Sequence, residues 1–448
     1  MGSSAADRNP RTVIDVLLSE YPFPDFLGPV RQRAAEFERA HPEYQVVIRG
    51  CYYEDLPAQV STEALAGKPP TIASYYSGAS QQAIDTVTAD GRPVFTPVAG
   101  QIGDRTEILG EPVVLDDLLD ACRDFYSIGG EIAAVPLTLS TMLLYTNTAM
   151  LHAAGIGTVP STWDELSAAC AAVARLDGGP AHAITWPIDG KLFQQAIAQQ
   201  GGLFLDNENG HAARATTVDL TSEEVMAYVG WWQGLVQRGE YVYTGQFEDW
   251  LGNGAAFAEQ RVAFRVDSSF AINFMSGDPA EPHVTVSMLP YNGRTAPAGN
   301  WIGGDAMWLA DGLDPVTRDG ALAFMQYLNS PRNAAEWHKA SGSTPVTKGA
   351  AAVLEEEGWF AANPVHRVAV EQLERTDRSP GSSVPVFPGS HGIQVAIMAA
   401  MEDVVVRGAE PLARFTRATA EAQKALDHYN ATCLGEGPRD PGWLVVGT

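Results

Sequence analysis

The chain has 448 residues, more than one hydrophobic core organises, so length implies two or three packed units. Its formal net charge of -25 excludes nucleic acid and anionic membrane surfaces as partners, since both need a basic footprint. No run approaches the roughly 18 to 20 continuous apolar residues of a membrane span, while 45% hydrophobic and 9% aromatic content is ample for large cores.

The N-terminal stretch MGSSAADRNPRTVIDVLLSEY has no charged segment followed by an apolar segment and a cleavage site. Two readings stay open: a signal segment was removed and the protein is extracellular or anchored on the cell surface, or it is cytoplasmic. Thr12 to Leu18 predicts a first strand. Phe26 to His41 predicts an amphipathic helix whose regular part begins near Pro29, because proline fits only a first turn. Tyr44 to Ile48 reads as a second strand running into Tyr52-Tyr53, Leu56 to Leu65 as a helix, and Thr71 to Ser74 as a third strand stopping at Tyr76-Ser77. This alternation predicts a parallel α/β sheet, in which ligands bind at the carboxyl ends of strands. Tyr53, Tyr76 and Ser77 fall at such ends.

Leu115 to Tyr126 reads as one helix containing DDLLD at 116–120. That pentad resembles the metal-binding DDxxD of terpene cyclases, but those enzymes are all-helical, so a solvated helix face is the reading here. Met142 to Tyr145 is a buried strand entered from a hydroxyl-rich turn, Thr138, Ser140 and Thr141. Thr148 to Ala154 is a helix stopped by Gly155, and Thr162 and Glu165 have capping-box spacing at the start of the next. Ala183 to Trp186 is a strand, Leu192 to Gln200 a helix, and Ser222 to Arg238 a longer helix. Val262 to Val266 is a strand ending in Asp267-Ser268-Ser269, and His283 to Leu289 another. From Pro315 onward the chain is mainly helical.

Catalytic constellations are absent: no phosphate-binding loop, no nucleophile elbow and no HExxH. No cofactor and no metal is expected. Cys51, Cys122, Cys170 and Cys433 lack zinc spacing; buried thiols, a disulfide, or a metal or catalytic role stay open. Ser390 and His391 adjoin, but no orienting acid can be assigned to them. What recurs is rings and hydroxyls at strand ends: Tyr53, Tyr76, Ser77, Ser140, Thr141, Trp186, Ser268, Ser269 and Trp301. Such a set suits a polyhydroxylated ligand, its apolar faces on rings and its hydroxyls in directional hydrogen bonds.

LLYTNTAMLHAAGI followed by PSTWDEL resembles the LYYNKDxFxKAGL and PxTWDEL of the extracellular solute-binding proteins of ABC importers, in their carbohydrate class. GNWIGGDAMWLADG and SPRNAAEWHKASGSTPVTKGA are similar to the corresponding segments of the glycerol-3-phosphate-binding members of the Ugp importer. The resemblance implies a two-lobed α/β periplasmic-binding-protein fold with the solute in the cleft between lobes. The lobes are expected at 11–143 for the first, 144–282 for the second, 283–311 for a return to the first, and 312–448 mainly in the second. It also implies ABC transporter membrane subunits as partners for an exported protein, here expected to be a monomer.

Carried over by position, the family's site tyrosine falls on Tyr53, its two serines on Ser140 and Ser268, and its glycine on Gly304. The family's glutamate is Ser77 here, its second tyrosine Ser343, and its arginine Gln394. An arginine offers a donor fork matched to phosphate that glutamine lacks, so glycerol-3-phosphate itself is disfavoured. Asp267 and Asp305 stand where the relatives have alanines; if both face the cleft, the site favours an amine, a choline-like cation or a metal ion. The expected ligand is therefore a sugar, an amino sugar or a glycerophosphodiester. The rival reading is a cytoplasmic enzyme or non-transport binder on the same scaffold, with Asp267, Asp305 and His391 as first acid/base candidates.

Overall fold

The computed structural model describes residues 10–21, 24–275 and 283–433. The N-terminal nine residues, part of the stretch read for a signal segment, lie outside them. Strand β1 (Thr12–Glu20) has four consecutive buried residues at its centre. It is followed by α1 (Gly28–Ala40), β2 (Tyr44–Tyr52), α2 (Leu56–Leu65) and β3 (Ile72–Tyr76). β1 pairs in parallel with both β2 and β3, the sheet that the alternation predicted. Helix α1 buries Val30, Ala34 and Phe37 on one face, as its 3-to-4 spacing requires.

The chain continues through β4 (Phe95–Thr96) and β5 (Val135–Pro136) into β6 (Met142–Asn147), all six of whose residues are buried. Beyond it lie α3 (Trp163–Val173), β7 (Ile184–Thr185), α4 (Gly190–Gln199), α5 (Glu223–Gln237), β8 (Tyr241–Val242), β9 (Phe264–Ser268), β10 (Val284–Met288) and β11 (Asp305–Ala310). The helical end comprises α6 (Pro315–Leu328), α7 (Pro331–Ser341), α8 (Pro364–Glu374), α9 (Ser390–Arg407) and α10 (Pro411–Cys433), among shorter pieces. Two sheets result. The first has the order β2-β1-β3-β11-β4, with β5 also on β11; the second has the order β8-β7-β9-β6-β10. Each sheet mixes parallel pairs with an antiparallel strand from the other half of the chain: β11 against β3, and β6 against β9 and β10.

The lobe boundaries differ from expectation in two places. Val284–Met288 was expected in the first lobe, but it pairs with β6 in the second sheet. Tyr291 still pairs with Thr162 there, so the chain returns only near Gly303, which bridges Ser140. The segment after 312 is also not all second-lobe. Ala321 to Leu328 of α6 and Trp337 of α7 share a core with Ile14, Val16 and Leu18 of β1. Phe415 of α10 packs on Phe193 of α4 at 5.9 Å.

The single helix expected over Leu115 to Tyr126 is broken into a 3₁₀ turn, Leu115–Asp117, and a helix, Asp120–Phe125. Leu118 and Leu119 between them are extended, because Leu118 bridges Thr347 and the Leu119 N–H donates to Val346 O at 2.9 Å. Tertiary pairing outweighs a few residues of helical pattern. The DDLLD carboxylates hold structural partners: Asp117 accepts from the Gly349 N–H at 3.0 Å, and Asp120 pairs with Arg123 and Lys348. All four cysteines are free thiols, with Cys122 and Cys170 buried.

The capping box forms as its spacing predicts. Thr162 Oγ1 accepts from the Glu165 N–H at 3.3 Å, and Glu165 Oε2 accepts from the Thr162 N–H at 3.3 Å and the Ser161 N–H at 2.8 Å. Thr162→Ala should therefore lower the unfolding free energy by about 1 kcal/mol. In urea this appears as a reduced midpoint at an unchanged slope.

Candidate functional site

Three chain segments cross between the sheets side by side. In the first, Ser140 exchanges backbone hydrogen bonds with Gly303 of the second, at 3.0 and 2.8 Å. In the third, Ser343 Oγ accepts from the Leu139 N–H at 2.9 Å, and the Thr344 N–H donates to Leu139 O at 2.8 Å. Thr141 Oγ1 accepts from Gln372 Nε2 at 2.9 Å. Gly304 has φ +96°, and a Cβ there would lie 2.3 Å from Thr138 O, so only glycine passes this close. Ser140, Thr141, Gly304 and Ser343 thus meet as the junction between lobes, and the Trp301 ring edge lies against Gly303 beside the Ser140 hydroxyl.

On the first-lobe side the carboxyl ends of β1, β2 and β3 bring tyrosines into a row. Tyr21 stacks on Tyr53 with centroids 4.9 Å apart and planes 12° apart, and Tyr53 meets Tyr76 edge-on at 5.5 Å. Asp305 pairs in register with Tyr76 and is 2% exposed. Its Oδ1 accepts from Tyr21 OH at 3.0 Å and its Oδ2 from Thr138 Oγ1 at 3.0 Å. Burial pushes its carboxyl up to about 6, against the hydroxyls of Tyr21, Thr138 and Ser19 that favour the charge. Tyr53 OH donates to Glu54 Oε1 at 2.7 Å. The Ser77 N–H donates to Gly304 O at 2.9 Å, which ties this strand end to the crossing.

Facing this row from the second lobe are Phe270, 6.1 Å from Tyr21, and the starts of α4 and α9. Lys191 lies in the first turn of α4. Its Nζ is 3.2 Å from Asp189 Oδ2 and 3.6 Å from Glu248 Oε1. Burial works against its charge, but the two carboxylates raise its pKa above the usual lysine range. Tyr76 is pushed up to about 12 by burial, tempered by Lys191 and by the Ser390 hydroxyl beside it. Gln394, one turn further along α9, lays its amide against Gly190, whose missing side chain leaves the room.

Several expectations give way. Asp267 does not add an unpaired negative charge, because it forms a buried ion pair with Arg265 and accepts from the Ser268 N–H at 2.6 Å. Ser268 Oγ accepts from the Phe270 N–H at 3.3 Å and caps the turn. Trp186, 1% exposed, belongs to the second-lobe core in a stack with Trp231 at 5.5 Å and Trp163 beyond it. His391 is exposed on the first turn of α9. Asp267, Asp305 and His391 engage separate surroundings rather than one acid/base site. Among the described residues no three His, Cys, Asp or Glu side chains group as a metal site, and no helix is long and apolar enough to cross a membrane.

Tyr21, Glu54, Asp189, Lys191 and Glu248 were missed from sequence. Tyr21 follows the end of β1 as Tyr53 follows β2, so the strand-end rule reaches it once β1 is extended to Glu20. Lys191 left a fainter signal, an aspartate cap and a lysine in one first turn.

Two mixed sheets joined by three crossings, with rings, hydroxyls and charges facing between them, define a two-lobed solute receptor. The sequence model of the family described as bacterial extracellular solute-binding protein matches residues 32–367, and the chain belongs to that family. The sn-glycerol-3-phosphate-binding periplasmic protein UgpB of Yersinia pestis is 25% identical over 402 residues, 88% of this chain and 86% of the relative. Among solved structures, the cyclic α-maltosyl-1,6-maltose binding protein of Arthrobacter globiformis superposes with a TM-score of 0.77 at 19% identity, covering 93% of this chain and 100% of that one. UgpB of Mycobacterium tuberculosis, solved with glycerophosphocholine, gives 0.69 at 21% identity over 94% and 99% of the two chains.

Two outcomes follow from the buried carboxylates. Because the Asp305 pKa is raised on folding, the stability held by its proton is fully present below about pH 4 and is lost as pH rises through about 6. Asp305→Asn, which cannot ionise, should gain on the parent between pH 4 and 7 by on the order of 2 kcal/mol; parallel melting-temperature curves across that range would contradict this. Arg265→Met leaves Asp267 buried without its counter-charge and should cost about 3–5 kcal/mol in urea unfolding, most of it recovered in Arg265→Met/Asp267→Asn.

Proposed function

We propose that this protein captures a polyhydroxylated, uncharged or zwitterionic solute, a sugar or a glycerophosphodiester, in the cleft between its lobes and delivers it to the membrane subunits of an ABC importer. The row Tyr21-Tyr53-Tyr76 on one lobe, faced by Lys191, Ser390 and Phe270 on the other, carries this reading. Rings take the apolar faces of a sugar or glyceryl chain, and the polar groups between them take its hydroxyls. Closure about the three crossings excludes water and presents one combined surface to the transporter. The protein acts as an exported monomer.

The charges argue against a phosphomonoester. Asp189 and Glu248 flank one ammonium, Arg265 is engaged by Asp267, and Gln394 and Ser343 supply no cation. The family's sugar-binding and glycerophosphocholine-binding neighbours support the two solute classes named.

Thermal-shift titrations with maltose, glycerophosphocholine and glycerol-3-phosphate test this. The first or second should stabilise the protein by about 2.7 kcal/mol at a hundred times its Kd, and the third should have little effect. Tyr53→Ala should weaken the productive probe at least tenfold. Mass spectrometry of the recovered probe should show it unchanged; a new mass would move the protein to the enzymes.

A further inference from the structure

Lys191 stands where its own helix disfavours it. The free N–H groups of the first turn of α4 give that end a partial positive charge, which repels a cation. The ammonium stays because it folds back between Asp189, which is 0% exposed and also caps the helix by accepting from the Lys191 N–H at 2.8 Å, and Glu248. Glu248 reaches it from a left-handed backbone, φ 52°, a conformation that is costly for a residue with a side chain. The lysine side chain is 23% exposed, whereas a lysine serving only solubility extends its head into water.

Opposite stand Tyr76 and Glu54. Tyr76 meets Tyr53 edge-on at 5.5 Å, and Tyr53 in turn holds Glu54; Lys191 tempers the raised pKa of Tyr76 from the facing lobe. Glu54 uses Oε1 for the Tyr53 hydroxyl, and a carboxylate has about four acceptor positions in all. One donor with three hydrogens and two acceptor-only groups therefore converge beside the ring of Tyr76.

We propose that Lys191, Glu248 and Glu54 form a subsite that reads a vicinal diol, the ammonium donating to one hydroxyl oxygen and the carboxylates accepting the hydroxyl hydrogens. The assignment rests on the interlobe cleft being the solute site. Adjacent hydroxyls present donors and acceptors at once, which this set matches. A phosphate dianion presents acceptors only and meets two carboxylates. A site built for hydroxyls also rejects analogues lacking them, since polar groups taken from water when the lobes close are then left unpaired. The same diol occurs on the edge of a hexose and at the glyceryl end of a glycerophosphodiester.

Isothermal titration separates the two sources. The probes are maltose with permethylated maltose, and glycerophosphocholine with phosphocholine, measured on the parent, Lys191→Met, Glu248→Gln and Lys348→Met, the last an exposed lysine paired with Asp120. The diol-bearing probe of one pair should bind and its diol-free counterpart should bind at least thirtyfold more weakly. Lys191→Met should weaken the diol probe at least thirtyfold, Glu248→Gln at least fivefold, and Lys348→Met not at all, with circular dichroism matching the parent. If Lys191→Met does not fold, Glu248→Gln decides. Variants within threefold of the parent, or a diol-free probe bound as tightly as its partner, overturn the subsite and leave the cleft reading standing. A parent that binds neither maltose nor glycerophosphocholine overturns the solute classes and the subsite together.

Discussion

One threonine hydroxyl ties the crossings to the site. Thr138 Oγ1 accepts from the Asp305 N–H at 2.7 Å and lies 3.0 Å from Asp305 Oδ2. This fixes a buried carboxylate at the start of β11, where Asp305 holds Tyr21 through its hydroxyl and Tyr21 in turn stacks under Tyr53. The lobe junction and the ring row are therefore one connected unit. A buried carboxylate without such donors would be strongly penalised, and with them it becomes an anchor. The backbone exchange between Ser140 and Gly303, and the Ser343 hydroxyl on Leu139, satisfy the remaining polar groups where the chain leaves one sheet for the other.

The second lobe is positioned by ring packing together with buried amides: Gln195 of α4 accepts from the Trp301 N–H at 2.8 Å and donates to Asn300 Oδ1 at 2.8 Å. Trp163, Trp231 and Trp186 stack, while Trp232 and Tyr228 lie against Phe193 of α4. These rings hold α4 so that its first turn points at the first lobe. Gln394 against Gly190 brings α9 alongside, so that two helix starts face the tyrosines from the same side. Trp186, which read from sequence as a ring for the ligand, lies in this stack behind the residues that face the cleft.

Ser77 serves the crossings through its backbone N–H and Ser343 through its hydroxyl. Gln394 packs beside Lys191, so the cation on this wall comes from α4, and two carboxylates hold it.

Much of this was legible in the sequence because it depends on local spacing. The strand–helix alternation of the first lobe, the buried strand β6, the capping box at Thr162 and the strand-end position of Tyr53 and Tyr76 follow from periodicity and turn chemistry. Resemblance added the two lobes and the placing of Ser140 as a site serine. Tertiary structure alone decided which groups meet. The pairing of Asp267 with Arg265 two residues away depends on both lying on one face of a twisted, buried strand. The burial of Trp186, the return of the chain at Gly303 rather than at 283, and the break at Leu118-Leu119 come from partners distant in the chain. The convergence of Lys191 with Glu248, Glu54 and Tyr76 joins four separate segments. No local pattern encodes that meeting, because hydrogen bonds and charges act through space while sequence signals act along the chain.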